Sequence, residues 1–327
     1  MEWLHEGALP EDGARYFPPA SGVYDVKPGL TPLSTDWGNG PCDAQVFQFD
    51  SSWADYRGVK EQARGERLGK YYQTRGFDAD LAGVICRFIA ARLASEHPDR
   101  FTWVDDADSP RLHHAPSDET LVFNRAMTQV TGGGSPAYVD PLDALSAQVQ
   151  EDLAVVRRVD GRDWCCAVHL CFPYRWTAEE KVGLDFVTMH LPVPGMENFR
   201  RPGMVNVMLQ KGPLVRFVWE LTTDRRLNHH PEPPPGVPAA AWARSAFDPA
   251  APRLFLRVER EVLWSFPAQE AALLTIRTSF WDAQEIRQDP VRRDALCAAV
   301  ESMTPASRVY KGLGDSGDAI LAWLRAG

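Results

Sequence analysis

The stretch TAEEKVGLDFVTMHLPVP, Thr177–Pro194, has the residue types and spacing of a cofactor-binding helix face. It reads as one short helix. Thr177 caps the first turn, Glu180 reaches back to complete a capping box, and Pro192 stops the helix. Gly183, Val187 and His190 follow an i, i+4, i+7 spacing, and Phe186 also lies four residues before the histidine. All four therefore share one apolar face, from which an imidazole projects. A haem with a proximal histidine fits such a face, the glycine leaving room for something flat and bulky. A core histidine at a helix C-terminus fits it too, since the dipole favours it there. From spacing alone that simpler account is preferred.

Other chemistry-bearing residues fall on strands and loops. WCCAVHLCF, Trp164–Phe172, is a strand by composition, with Cys165, His169 and Cys171 on one face. One metal cannot join them: four strand residues span about 13 Å, and ligands on a single zinc lie only about 3.5–4 Å apart. His169 reads as a buried structural histidine and is the second candidate for an iron ligand. The pair His229-His230 lies in the proline-stiffened loop RRLNHHPEPPPGVP and reads as solvated. Gly132-Gly133-Gly134 lacks the strand–GxGxxG–helix context of a phosphate loop, so a flexible turn accounts for it. Leu214–Thr222 is a strand with Arg216, Val218 and Glu220 on one face and Trp219 among the packing residues of the other. Leu254–Phe266 and Ala271–Phe280 form a hairpin joined by PAQE. Arg257, Glu259 and Glu261 share one face of its first strand, Arg260 is an exception on the packed face, and Arg277 is carried by the second. Paired charges on a wet sheet face would explain this pattern without any site.

Helices must hold these strands. Trp53–Tyr72 is charged and helical. Asp78 or Asp80 caps an amphipathic helix with Leu81, Val84, Ile85, Phe88, Ile89 and Leu93 as its apolar stripe. Asp140-Pro141 starts another, with Leu142, Leu145, Val149, Leu153 and Val156 as its buried residues. Asp289-Pro290 opens a helix to about Met303, and a short one follows around Asp318–Leu324. The 327 residues suffice for a sizeable core, and 44% hydrophobic with 24% charged residues is a globular composition. A net charge of −9 argues against a nucleic-acid partner. The acidic start lacks a leader-like apolar run, no stretch reaches about 18 apolar residues, and the six cysteines show no framework spacing. A cytoplasmic protein is expected. Helices followed by antiparallel strands give an α+β class.

FPYRWTAEEKVGLDFVTMHLPVPG, Phe172–Gly195, resembles the F-P-x-x-W…E-K-x-G…I-H-x-P-V-P signature of the haem-dependent oxidative N-demethylase family. VRFVW at Val215–Trp219 is similar to its R-x-x-W strand, and LRVERE and LLTIRT to its R-V-E-R-Q and F-T-I-R-T strands. VYDVKPGLTPL and DPLDALSAQVQEDL extend the likeness over most of the chain. Glu261 stands where the family has glutamine, adding a negative charge near the site, and Met189 where isoleucine is usual.

The resemblance implies a PAS-like antiparallel sheet core that binds haem b at about residues 120–285. An arm and helices at 1–119 precede it, and a helical extension at 286–327 follows. It implies His190 as the axial iron ligand, with Gly183, Phe186 and Val187 beside the haem. Arg216 would stabilise charge on the oxygen side, and Glu259 would hold a protonated amine. Arg257 or Arg277 would keep Glu259 ionised or meet a propionate. The reaction implied is reductive activation of O2, oxidation of the N-methyl group of a small secondary amine such as dimethylamine, and collapse of the carbinolamine to amine and formaldehyde. The chain has no dinucleotide fingerprint and no iron–sulfur spacing of its own. Electrons must come from a partner reductase, and the family implies separate subunits with flavin, a 2Fe–2S centre and tetrahydrofolate. Two rivals are a haem-based PAS sensor without catalysis and a non-haem iron oxygenase. The latter needs two histidines and a carboxylate, for which the compact candidates are His97-Pro98-Asp99 and His230-Pro231-Glu232.

Overall fold

The computed structural model describes residues 2–4, 6–196 and 202–326. Its centre is the PAQE hairpin: β10 (Phe255–Phe266) pairs β11 (Ala271–Asp282) in an unbroken antiparallel register. β9 (Leu214–Thr222) flanks β10, and β7 (Glu151–Val159) flanks β11. β8 (Arg162–His169), β2 (Tyr72–Thr74) and β1 (Thr31–Pro32) complete an antiparallel sheet in the order β1-β9-β10-β11-β7-β8-β2. A smaller sheet holds β3 (Phe101–Val104), β4 (Arg111–His114), β5 (Glu119–Phe123) and β6 (Val130–Thr131). The fold is α+β, as expected. The boundary expected at residue 119 falls within β5, which pairs with β4.

The helix expected from Asp140 through Val156 stops early. Asp140 caps α3 (Pro141–Ser146) through the Asp143 amide, and then the chain enters β7. Val155 and Val156 suit a strand, and Asp160-Gly161, both at positive φ, forms the two-residue turn into β8. The Asp-Gly pair was the overlooked signal. α1 (Trp53–Tyr71) and α2 (Ala79–Glu96) occur where expected, α2 capped by Asp78 through Leu81 N. Leu81, Ile85, Ile89 and Leu93 are buried, whereas Val84 is exposed. α2 and α3 cover one face of the sheet, packing with Leu153, Val155, Val215, Val262 and Leu273. Each such side chain contributes about 1.5–3 kcal/mol on burial.

The triple glycine is not a loose turn. A Cβ on Gly132 would collide with the Thr120 carbonyl, so this loop lies tight against β5. After β11, α8 (Ala283–Gln288), α9 (Pro290–Glu301), α10 (Pro305–Tyr310) and α11 (Gly317–Arg325) supply the C-terminal helical extension.

Candidate functional site

The segment bearing His190 is two helices, not one. Thr177 caps α4 (Ala178–Lys181) by accepting from Glu180 N. The chain then turns at Gly183, φ +83°, where Gly183 N donates to Cys165 O at 2.8 Å. Asp185 starts afresh, capping α5 (Phe186–His190) through Thr188 N and binding Thr188 Oγ1 at 2.6 Å. A left-handed residue cannot continue a helix, and the asparate cap re-nucleates one. Gly183 therefore lies off the α5 face. A Cβ there would sit 2.6 Å from Arg75 Cδ, so the glycine makes room for Arg75 and not for a cofactor.

His190 ends α5 half-buried, its ring 4.4 Å from that of buried Phe186. Nδ1 lies 2.7 Å from the Phe186 carbonyl oxygen. A carbonyl only accepts, so Nδ1 carries the hydrogen and the lone pair is left on Nε2. No described residue hydrogen-bonds Nε2. Burial lowers the imidazole pKa to about 4, the Phe186 carbonyl opposes this, and the Arg216 and Lys181 cations reinforce it. The ring is neutral at neutral pH, with a fixed tautomer of the kind ligating histidines use.

Among the described residues, the sheet face beside α5 is incompletely covered. Arg216 and Val218 of β9, Glu259 and Glu261 of β10 and Leu274 of β11 are all half-exposed, although these strands lie inside the sheet. The register places all five on one face. Phe186 and the residues Val205, Met208 and Leu209 of α6 (Pro202–Gln210) pack on Val156, Leu263 and Ala272 at its end. Arg216 stands opposite Glu261, with Nε 3.3 Å from Oε2. Burial and Glu259 raise the Glu261 carboxyl while Arg216 lowers it, the net direction being upward.

Arg257 is buried and its guanidinium is committed. Nη1 meets Glu259 Oε1 and lies 3.3 Å from Glu220 Oε1, and Nη2 donates to Phe172 O and Thr278 Oγ1, each at 3.0 Å. Of the two arginines expected near Glu259, Arg257 is the one beside it. Arg277 pairs in register with Arg260 and Glu151, which puts it on the opposite face, where it donates to Asp50 Oδ2 at 2.5 Å. A four-residue hairpin loop fixes that parity, so the loop length carried the information. Arg260 is buried and donates to the Asp43 and Gln45 carbonyls. Val187 is half-exposed on α5, and Trp219 is buried packing.

The alternative histidines have other surroundings. His169 is wholly buried, with Nε2 3.1 Å from Asp143 Oδ1 and Nδ1 facing Cys171 Sγ at 3.8 Å. His229 is half-buried and His230 buried, so neither is simply solvated: His229 Nε2 lies 3.0 Å from Asp224 Oδ1, and the His230 ring accepts from Glu232 N at Nδ1, 3.0 Å, while its Nε2 has no described partner. His97 Nε2 lies 2.8 Å from Phe47 O. No group of three His, Cys, Asp or Glu among the described residues is placed to hold a metal ion. Sequence reasoning missed Lys311, which is buried after α10, donates to Trp219 O at 2.9 Å and is electrostatically coupled to Glu220 and Glu259. Nothing in its local pattern marks it.

A cavity of about 520 Å³ between residues 8–15 and Trp281 touches none of the eight residues expected in the site. A neutral imidazole whose Nε2 has no described partner, apolar neighbours at Phe186, Val187, Val218 and Leu274, and a guanidinium on the facing strand fit an iron porphyrin better than a bare metal ion.

These features define an α+β protein in which a neutral histidine, its Nε2 without a described partner, stands beside a charged, partly buried sheet face. The chain belongs to the haem-dependent oxidative N-demethylase, alpha subunit-like family, whose model matches residues 41–321. It is therefore of an oxidoreductase family that depends on haem and, as an alpha-subunit type, works with other subunits. No helix among the described residues is long and apolar enough to cross a membrane.

Proposed function

We propose that this chain is the haem b-binding subunit of a cytoplasmic monooxygenase that demethylates a small secondary amine such as dimethylamine. It uses O2 and electrons from a partner reductase, and it releases formaldehyde. The haem-binding core is PAS-like and spans about residues 120–285. The observation that carries this reading is His190: its Nδ1 is tied to the Phe186 carbonyl and its Nε2 has no described partner, beside the half-open face.

When bound, haem supplies the oxygen and one-electron chemistry. His190 holds the iron as a neutral imidazole whose orientation the Phe186 carbonyl fixes. Arg216 offers permanent positive charge and N–H donors to a negative group at the site. Glu259 gives one oxygen to Arg257, and the other is available to an ammonium. The same oxygen can take the amine's proton. Arg257, held by Phe172 O and Thr278, fixes where that carboxylate points. Flavin, a 2Fe–2S centre and tetrahydrofolate are placed on partner subunits.

The deciding experiment is the absorption spectrum of haem-reconstituted protein. A Soret band that His190→Ala loses or shifts, and that His169→Gln leaves alone, is expected. A spectrum indifferent to His190→Ala would overturn the assignment.

A further inference from the structure

Two arginines on the open face are held in opposite ways. Arg257 has Glu220, Glu259, Phe172 O and Thr278 as partners. Arg216 has one described partner, Glu261, which approaches Nε at 3.3 Å without an aligned hydrogen bond. Both Nη groups of Arg216 lack a described partner, and the Arg216 and Glu261 side chains are 22% and 15% exposed. A free guanidinium fork beside a ligand site is a ready receptor for a carboxylate. Here the directly opposing residue across β9–β10 supplies a carboxylate already. Of the carboxylates nearby, Glu220 and Glu259 share Arg257, with Lys311 and Arg175 also acting on Glu220, and Glu261 is left as the partner of Arg216.

We infer that Glu261 is a specificity-determining residue: by neutralising Arg216 it restricts the site to amines that carry no carboxylate, so N-methylated amines are accepted and N-methyl amino acids are refused. This rests on the His190 and Arg216 reading above and goes beyond it by naming what excludes the competing substrate class. A carboxylate-bearing amine would have to break the Glu261 contact or bury its own charge against it, and unpaired buried charge is costly.

The test uses full-length haem-loaded protein at pH 8, with parent, Glu261→Gln, Glu261→Ala, Arg216→Met and the Glu261→Gln/Arg216→Met double variant. Dimethylamine, N-methylglycine and azide are titrated and read from the haem spectrum. The parent should prefer dimethylamine to N-methylglycine. Glu261→Gln should shrink that preference and tighten azide, each by about tenfold, as expected for one charge roughly 10 Å away in an effective dielectric near 20. The double variant should lose the gain, since the effect runs through Arg216. Azide reports the field even if neither amine alters the spectrum, and Glu261→Ala decides if the glutamine variant does not fold. Unchanged azide affinity and an unchanged amine ratio in a variant that binds haem would overturn the role of Glu261 alone. Protein that takes up no haem would overturn the underlying functional reading.

Discussion

Asp143→Asn tests the account of the interior most sharply. Asp143 is fully buried and accepts from Arg64 Nε at 2.7 Å, Arg64 Nη2 at 2.9 Å, Val139 N at 3.1 Å and the His169 ring at 3.1 Å. Burial alone would raise its carboxyl pKa, but the His169 and Arg64 hydrogen bonds outweigh this and hold it at about 2 instead of 3.8. That difference corresponds to about 2.5 kcal/mol of stability at neutral pH. Asparagine also turns an N–H toward donors and leaves the buried Arg64 cation unbalanced, which raises the expected loss to about 3–4 kcal/mol. The folded carboxyl titrates below its unfolded value. Its contribution is therefore complete above pH 4 and lost as pH falls through about 2. The assay is urea unfolding of haem-free parent and variant at pH 7 and pH 3. The gap should narrow by about 1 kcal/mol at the lower pH. The Soret band of the reconstituted variant should match the parent, because the His169 ring faces Asp143 and Cys171 in the interior. A gap below about 1 kcal/mol at pH 7, or a shifted Soret band, would refute the reasoning.

Glu259→Gln should leave haem uptake intact and abolish the amine-induced spectral change; a parent-like response to dimethylamine would remove Glu259 from the site. Gly183→Ala should destabilise by about 1–2 kcal/mol through its left-handed backbone, and the urea midpoint with and without haem reads the effect. If alanine is tolerated there without loss, the turn between α4 and α5 is not held as described. Lys311→Met should shift the pH dependence of dimethylamine binding while leaving the Soret maximum in place. A pH profile identical to the parent's would mean that Lys311 only braces Trp219.

Much of the scaffold could be read directly because local chemistry and tertiary packing agree there. The PAQE hairpin, the Asp78, Asp140 and Asp289 caps and the β9 boundaries all follow from turn and capping residues. The reading failed where two local signals competed. After Asp140 the apolar stripe continued at helical spacing, but the Asp-Gly turn and paired valines made the second half a strand. Between Thr177 and His190 the i, i+4, i+7 pattern concealed a left-handed glycine and a second cap. Arg277 lies on the face opposite Glu259 for a different reason: side-chain parity across a hairpin depends on register, which loop length carries and composition does not. The Glu261–Arg216 pair and the arrival of Lys311 depend on strand order and on distant chain segments, for which one sequence offers no local cue.

The sheet face beside His190 is assembled from both ends of a long interval. Its imidazole comes from residue 190, its floor from β9, β10 and β11, and its last cation from residue 311. During synthesis the His190 helix emerges well before the strands beside it, and Glu220 and Glu259 emerge before the lysine that acts on both. The charge balance of this face is thus completed late in the life of the polypeptide: a nascent chain halted short of residue 311 carries Glu220 and Glu259 without the lysine that acts on both.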